Sequence, residues 1–370
     1  MARFGNFKAI DLMFYPPGIF FIITCLSFIV NKIYFNIENP IVAYLYILCP
    51  FFFFFFYFVT EVSLTRKSNV GAVCNYQGIN SNGMYYKLCV VFSYVGAIIS
   101  IYTIIKYGFM SGDSLFLSLR YRHTQLQEST FMAEYFCLFS LSLSLINCVR
   151  SQYNKSMLYA FLYILYPLSV SERTSILLLA CALLYIMYDN RRLKVGFMLA
   201  MVIFFIFISW GIAFSANKLG DRSFLFIVDY FSYGITAFDK NIYNLDSSGC
   251  LSMLLGSFSK IFGLNSCDMS ISLDAGEFNV FTHMRPGYMF AGVIGVLTVC
   301  SVLGFFYGII FSLRKKYSFL SYYCALMVYP LVISFYDFQF NLVTPIYFLI
   351  IMLPFFIHKN GVLFFCFRVK

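Results

Sequence analysis

Three short stretches collect the side chains able to do chemistry, and each contains arginine. Arg285 and His283 stand in EFNVFTHMRPGY, which begins at Glu277 and ends at Tyr288. Arg173 adjoins Glu172 in Ser171-Glu172-Arg173-Thr174. Arg120, Arg122 and His123 crowd into a polar stretch between Lys106 and Thr130, where Gly108 and Gly112 interrupt any helix. A guanidinium stays charged in any protein environment, and its paired N–H donors match phosphate oxygens. Arginines beside apolar runs therefore point to an anionic group met at lipid headgroup depth. Glu172, Glu277 and His283 are the candidates for taking a proton from an attacking hydroxyl. Each of these residues also suits an ordinary solvated loop, and Arg173 or Arg285 also suits snorkelling to water.

Other chemistries lack their residues. No CxxC pair occurs, and His123, His283 and His358 are scattered, so neither a metal-ligand set nor a cofactor is expected. Most of the 12 cysteines lie inside apolar runs, where they read as small core hydrophobes. No GxxxxGKS or GxGxxG loop is present. The net charge of +10 is spread between apolar runs, which argues against a nucleic-acid partner.

The elements that must position these residues are membrane helices. Hydrophobic residues make up 61% of the chain and charged residues only 11%, against about 25% in soluble domains. Mean hydropathy is +0.80. A spanning helix needs roughly 20 apolar residues. Spans are predicted near 11–30, 41–60, 88–105, 131–149, 156–170, 174–188, 195–215, 288–311, 318–335 and 342–357. The fold class is therefore an all-α polytopic integral membrane protein with about ten transmembrane helices. The whole chain, 1–370, reads as a single membrane domain. No small-residue cleavage site follows the first apolar run, which predicts a retained helix in place of a signal peptide.

Orientation follows from lysine and arginine. The clusters Arg66-Lys67, Arg191-Arg192-Lys194 and Arg314-Lys315-Lys316 all fall on one side of this path, which predicts both termini in the cytoplasm. Most acidic residues then lie on the outer face, the chemically richer one. Residues 156–188 form a tight hairpin with arms of only about 25 Å, so Glu172 and Arg173 should sit at or just below the outer interface. Residues 216–287 form a long periplasmic loop between spans seven and eight. Leu251, Leu254, Leu255, Phe258, Ile261 and Phe262 recur at helical spacing there, and Ser223–Phe238 is similar. Interfacial helices forming a lid fit this pattern, as does packing against the bundle. Cys250 and Cys267 fall on the same oxidising side, where a disulfide between them is open. Pro286 and Gly287 mark an expected break before a glycine-rich span, with Arg285 at its mouth.

At this point a family becomes visible. NVFTHMRPGY followed by AGVIG resembles the signature of the bacterial oligosaccharide repeat-unit polymerases, the O-antigen polymerases. SERTSILLL and YFSYGITAFDK resemble segments of the same family in order and spacing. Where that family often has Tyr-x-Asp-Phe-Gly, this chain has Tyr288-Met289-Phe290-Ala291-Gly292, which speaks against an essential acid there. The resemblance implies a metal-independent glycosyltransferase at the periplasmic face of the bacterial inner membrane. It would move a growing glycan from undecaprenyl diphosphate onto the next lipid-linked oligosaccharide, alongside a chain-length regulator protein in the same membrane. Arg173 and Arg285, with Glu277 and His283, would serve catalysis; Arg120, Arg122, Glu172 and Tyr288 would hold substrate. Two other functions compete. A lipid-linked oligosaccharide flippase would call for charges within several spans, and a glycan acyltransferase for histidine near cytoplasmic helix ends. Neither pattern is evident in the sequence.

Overall fold

The computed structural model describes residues 14–34, 37–67, 83–108, 131–172, 174–190, 234–240, 251–255, 271–273, 276–278, 282–314, 317–334 and 344–356, with isolated residues 115, 118, 119, 122, 203, 207, 211 and 242. Among these the helices are α1 (Pro16–Tyr34), α2 (Pro40–Lys67), α3 (Met84–Tyr107), α4 (Phe131–Val149), α5 (Tyr153–Ser169), α6 (Thr174–Asp189), the short α7 (Leu251–Leu255), α8 (Met284–Leu313), α9 (Ser318–Ile333) and α10 (Thr344–Phe356). Five of them, α1 to α4 and α8, are long and apolar enough to cross a membrane. The segment predicted to span at 195–215 lies outside the described residues except for Ile203, Phe207 and Gly211, each helical.

The helices have the side-chain distribution of a protein in lipid. On α3 the inward residues are small or polar: Cys89, Ser93, Gly96, Ala97, Ser100 and Thr103. The outward ones are Leu88, Val91, Ile98, Ile101 and Ile105. On α2, Phe53 and Tyr57 point inward while Phe51, Phe54, Phe55 and Phe58 face out. Small residues inside allow backbones to approach, and a continuous apolar exterior is stable only against hydrocarbon. This is a membrane-embedded helical protein.

The chain divides into two compact units. Unit one comprises Met1–Val70, Phe224–Leu313 and Pro330–Val343. Its main pair is α2 with α8, and the two run parallel. A Cβ on Gly304 would strike the Phe53 carbonyl oxygen, and one on Gly308 would lie 2.8 Å from Thr60 Cβ. The Phe53 and Tyr307 rings meet with centroids 5.6 Å apart. Unit two comprises Gly71–Ser223, Arg314–Tyr329 and Thr344–Lys370, with α3, α4 and α5 as its core. Its helices are joined by polar side chains: Ser93 to Ser140 at 2.6 Å, Asn147 to Tyr86 at 3.1 Å, and the Ser144 hydroxyl donating to the Ser156 carbonyl at 2.9 Å. Asp189 and Arg314, both at helix ends expected on the cytoplasmic side, form an ion pair at 3.7 Å.

Two expectations need correction. The predicted break at Pro286-Gly287 is absent; these residues lie in the first turn of α8. Proline has no N–H to offer, but first-turn N–H groups have no helical partner anyway, so Pro286 fits there. The chain breaks at Ala291 and Gly292. For the same reason Pro16 and Pro17 fit at the start of α1. Residues 234–240, read as part of an interfacial helix, are buried inside unit one, with Ile235, Phe238 and Asp239 at 0%, 0% and 7% exposure. The Asp239 carboxylate accepts the Glu38 and Asn39 N–H groups at 3.0 and 3.1 Å, beside the start of α2. Residues 271–278 also hold a small antiparallel ladder, β1 (Ile271–Leu273) with β2 (Gly276–Phe278), which helical periodicity could not announce.

Candidate functional site

The site grows from the break in α8. Ala291 has φ −153° and ψ 36°, and Gly292 has φ 60° and ψ −145°. A side chain at Gly292 would have open space but a backbone conformation that L-residues rarely adopt. The chain reverses here. In a straight helix, residues 287 and 295 would be about 12 Å apart. Yet a Cβ on Gly287 would lie 2.8 Å from Val296 Cα, and one on Gly295 would strike the Gly287 carbonyl oxygen. Residues 284–290 are thus a short re-entrant limb folded against 293–313, with two glycines where the backbones touch. The long limb, at about 31 Å, still has the length to span hydrocarbon.

That reversal carries His283 and Arg285 into the interior of unit one and leaves Tyr288 half-buried. Arg285 is 2% exposed and lies about 9 Å along the limb from the turn. The expectation of an arginine at the mouth of the helix is corrected: it is buried within the bundle. His283 is also 2% exposed. Its Nδ1 is 2.9 Å from the Ser334 carbonyl oxygen, and its backbone N–H donates to the same oxygen at 3.0 Å. Its ring meets Phe20 edge-on at 5.0 Å. The Tyr288 ring packs edge-on against Phe238 at 5.6 Å. Thr282, buried next in sequence, accepts from the Tyr46 hydroxyl at 3.4 Å and donates its N–H to Gly234 at 3.3 Å. The described parts of two segments noted for their family resemblance, 234–240 and 282–288, therefore meet in space.

The other candidates lie elsewhere. Glu277 pairs by backbone with Ser272 in the ladder, and its side chain lies outside the described residues. Arg120 and Arg173 lie outside the described residues too. In unit two the Arg122 guanidinium lies over the Tyr107 ring. Glu172 accepts the Thr174 hydroxyl, and Ser171 takes a left-handed φ of 55° to end α5.

Some residues in these sites were not singled out in the sequence. Glu134, in the first turn of α4, lies within electrostatic reach of Glu172 and beside the Tyr166 hydroxyl. Its only sequence signal is an acid opening an apolar run. Cys49 and Cys300, read as core hydrophobes, meet His283 within 4.8 Å. No spacing rule connects three residues so far apart in the chain.

Compared with profiles of known families, with characterised proteins and with solved structures, the chain gives no match in any of the three.

Proposed function

We propose that this protein polymerises oligosaccharide repeat units carried on undecaprenyl diphosphate, at the periplasmic face of the bacterial inner membrane. The observation that carries the reading is Arg285, held inside the bundle on a re-entrant limb within the segment that resembles the O-antigen polymerases. Broken helices at membrane depth are tolerated where they are buried in protein or line a cavity, and a buried ionisable group there usually serves an anionic substrate or an ion path. In this reading the acceptor sugar hydroxyl attacks the anomeric carbon of the donor glycan. The bond to the diphosphate breaks, and undecaprenyl diphosphate leaves with the electron pair. Arg285 would stabilise charge gathering on that diphosphate. The hydroxyl proton would pass to a carboxylate or imidazole acting as general base.

A re-entrant limb also suits a lipid-linked oligosaccharide flippase, since transporters use broken helices to build substrate sites. Deletion of the gene in its own strain, with lipopolysaccharide examined on a gel, separates the two. Loss of a polymerase leaves core bearing a single repeat unit. Loss of a flippase leaves core with no repeat at all, and that outcome would sink the polymerase reading.

A further inference from the structure

Cys49 on α2, His283 ahead of the re-entrant limb and Cys300 on the long limb of α8 meet in the interior of unit one. One imidazole nitrogen and both Sγ atoms lie within 4.8 Å of one another. Their exposures are 0%, 2% and 0%. Both cysteines are free thiols. The orientation of the imidazole matters most. A carbonyl oxygen can only accept, so the contact of Nδ1 with Ser334 places the ring proton on Nδ1 and leaves the lone pair on Nε2. Nε2 is buried with no hydrogen-bond partner among the described residues. A histidine fixed through one nitrogen by a backbone carbonyl, with the lone pair of the other left for an ion, is the usual posture of a metal ligand.

We propose that Cys49, His283 and Cys300 bind a zinc ion. Thiolate and imidazole donors suit Zn²⁺. With Zn–S near 2.3 Å and Zn–N near 2.0 Å, tetrahedral ligands lie roughly 3.5–3.8 Å apart, so the trio closes by shifts of about 1 Å or less. Binding forms two Zn–S bonds and one Zn–N bond and releases both thiol protons to solvent. The two thiolates cancel the charge of the dication, whereas Cu⁺ would leave a net negative charge in an apolar interior. The three protein ligands leave a fourth position for water. The ion ties α2 and the residue leading into the re-entrant limb to the long limb of α8, and so locks the reversal that buries Arg285. This is a fastening role, independent of whether the protein transfers sugars.

The test is metal analysis of the full-length protein, purified in detergent without chelators or a metal-affinity tag. Wild type should carry about one zinc per chain, and Cys49→Ser/Cys300→Ser less than about a tenth of that. Cys324→Ala, a buried thiol in unit two, should keep its zinc. The double variant could fail to fold, so wild type is also examined alone: after exchange into Co²⁺ it should show thiolate-to-cobalt charge-transfer absorption. Wild type with neither zinc nor that absorption overturns the proposal, as does copper in place of zinc. Zinc retained by the double cysteine variant overturns it equally, because the ion would then sit elsewhere.

Discussion

The two units solve the same problem, packing helices without water, in different ways. Unit two joins α3, α4 and α5 through side chains that satisfy one another: Ser93 with Ser140, Ser144 with Ser156, Tyr86 with Asn147. In hydrocarbon such bonds act as polar glue between small-faced helices. Unit one packs α2 on α8 through glycines against backbone and through Phe53, Tyr57 and Tyr307. It then spends its buried polar groups on a chain reversal holding His283 and Arg285. Unit one also holds an imidazole nitrogen, His283 Nε2, buried with no hydrogen-bond partner among the described residues. Chemistry is expected where polar groups are held but not used up.

The largest effect should come from Arg285. Arg285→Ala should abolish long glycan chains at near-normal protein abundance. Losing a charged hydrogen bond made in the transition state costs on the order of 2–4 kcal/mol, or roughly 30- to 1,000-fold in rate. Arg285→Lys should recover only part, since an ammonium lacks the paired donors. Arg66→Ala, near the end of α2, is the control and should polymerise normally. Arg173→Ala, in unit two, should likewise abolish long glycan chains. A wild-type ladder from Arg173→Ala would confine the chemistry to unit one, and one from Arg285→Ala would remove the arginine argument altogether.

A smaller effect should follow from jamming the reversal. A Cβ on Gly295 meets the Gly287 carbonyl oxygen, which is backbone and cannot swing away. Gly295→Ala should destabilise by about 1–3 kcal/mol, typical of overpacking, and should lose polymerisation beyond what its lower abundance explains. Gly96→Ala, which presses on Phe136 Cβ at 2.9 Å in unit two, should cost similar stability but leave activity per folded molecule intact. In-gel ladders normalised to folded protein decide the matter. Equal losses per molecule from both would erase the distinction between the units.

How much of this could be read in the sequence depends on whether a feature is local. The runs at 41–60, 88–105 and 131–149 are apolar over a full span, and helices α2, α3 and α4 cover them. The break expected at Pro286 lies five residues before the one at Ala291, because proline reads as a breaker in sequence, whereas in a first helical turn it costs nothing. Gly292 carries the true break through a backbone angle that no composition announces. Residues 234–240 showed the periodicity of any half-buried helix, and periodicity does not say whether the apolar face meets lipid or protein. His283 was a candidate by its motif, but Cys49 and Cys300 become its neighbours only because α8 folds back on itself and runs parallel to α2.

A moderate effect is expected from the polar glue. Asn147 donates to the Leu143 carbonyl at 2.7 Å and exchanges bonds with the Tyr86 hydroxyl. Asn147→Leu leaves that buried hydroxyl without its partner and should cost about 1–3 kcal/mol. Asn147→Leu/Tyr86→Phe removes both groups and should recover most of the loss. A double variant as unstable as the single, by thermal unfolding in detergent, would show that packing and not the hydrogen bond holds α3 to α4.

The smallest effect concerns how each unit ends or turns its helices. Unit one gives its left-handed residue to glycine, at Gly292, while unit two gives two such positions to serine, at Ser151 and Ser171. Both serines close a helix in the same way. The N–H of Ser151 donates to the Cys148 carbonyl and that of Gln152 to the Asn147 carbonyl, and Ser171 and Glu172 repeat the pattern on Leu168 and Pro167. Glycine is the usual residue at this place in the motif because it has no Cβ to crowd the carbonyl. Ser151 is exposed, so replacing it disturbs nothing else. Ser151→Gly removes left-handed strain of about 1–2 kcal/mol but gives the unfolded chain more freedom, for a net gain of a few tenths to 1 kcal/mol. In a chain of this size that amounts to a rise of roughly 1–2 °C in unfolding midpoint, close to the resolution of a thermal scan, so the matched change at Ser171 should be measured with it. Gly292→Ala is the reverse experiment and should lower the midpoint, since alanine must adopt the angles that glycine holds freely. A lower midpoint for Ser151→Gly would mean that the serine hydroxyl stabilises the turn by more than the strain it bears, and the contrast between the two units at their left-handed positions would then be one of chemistry and not of backbone.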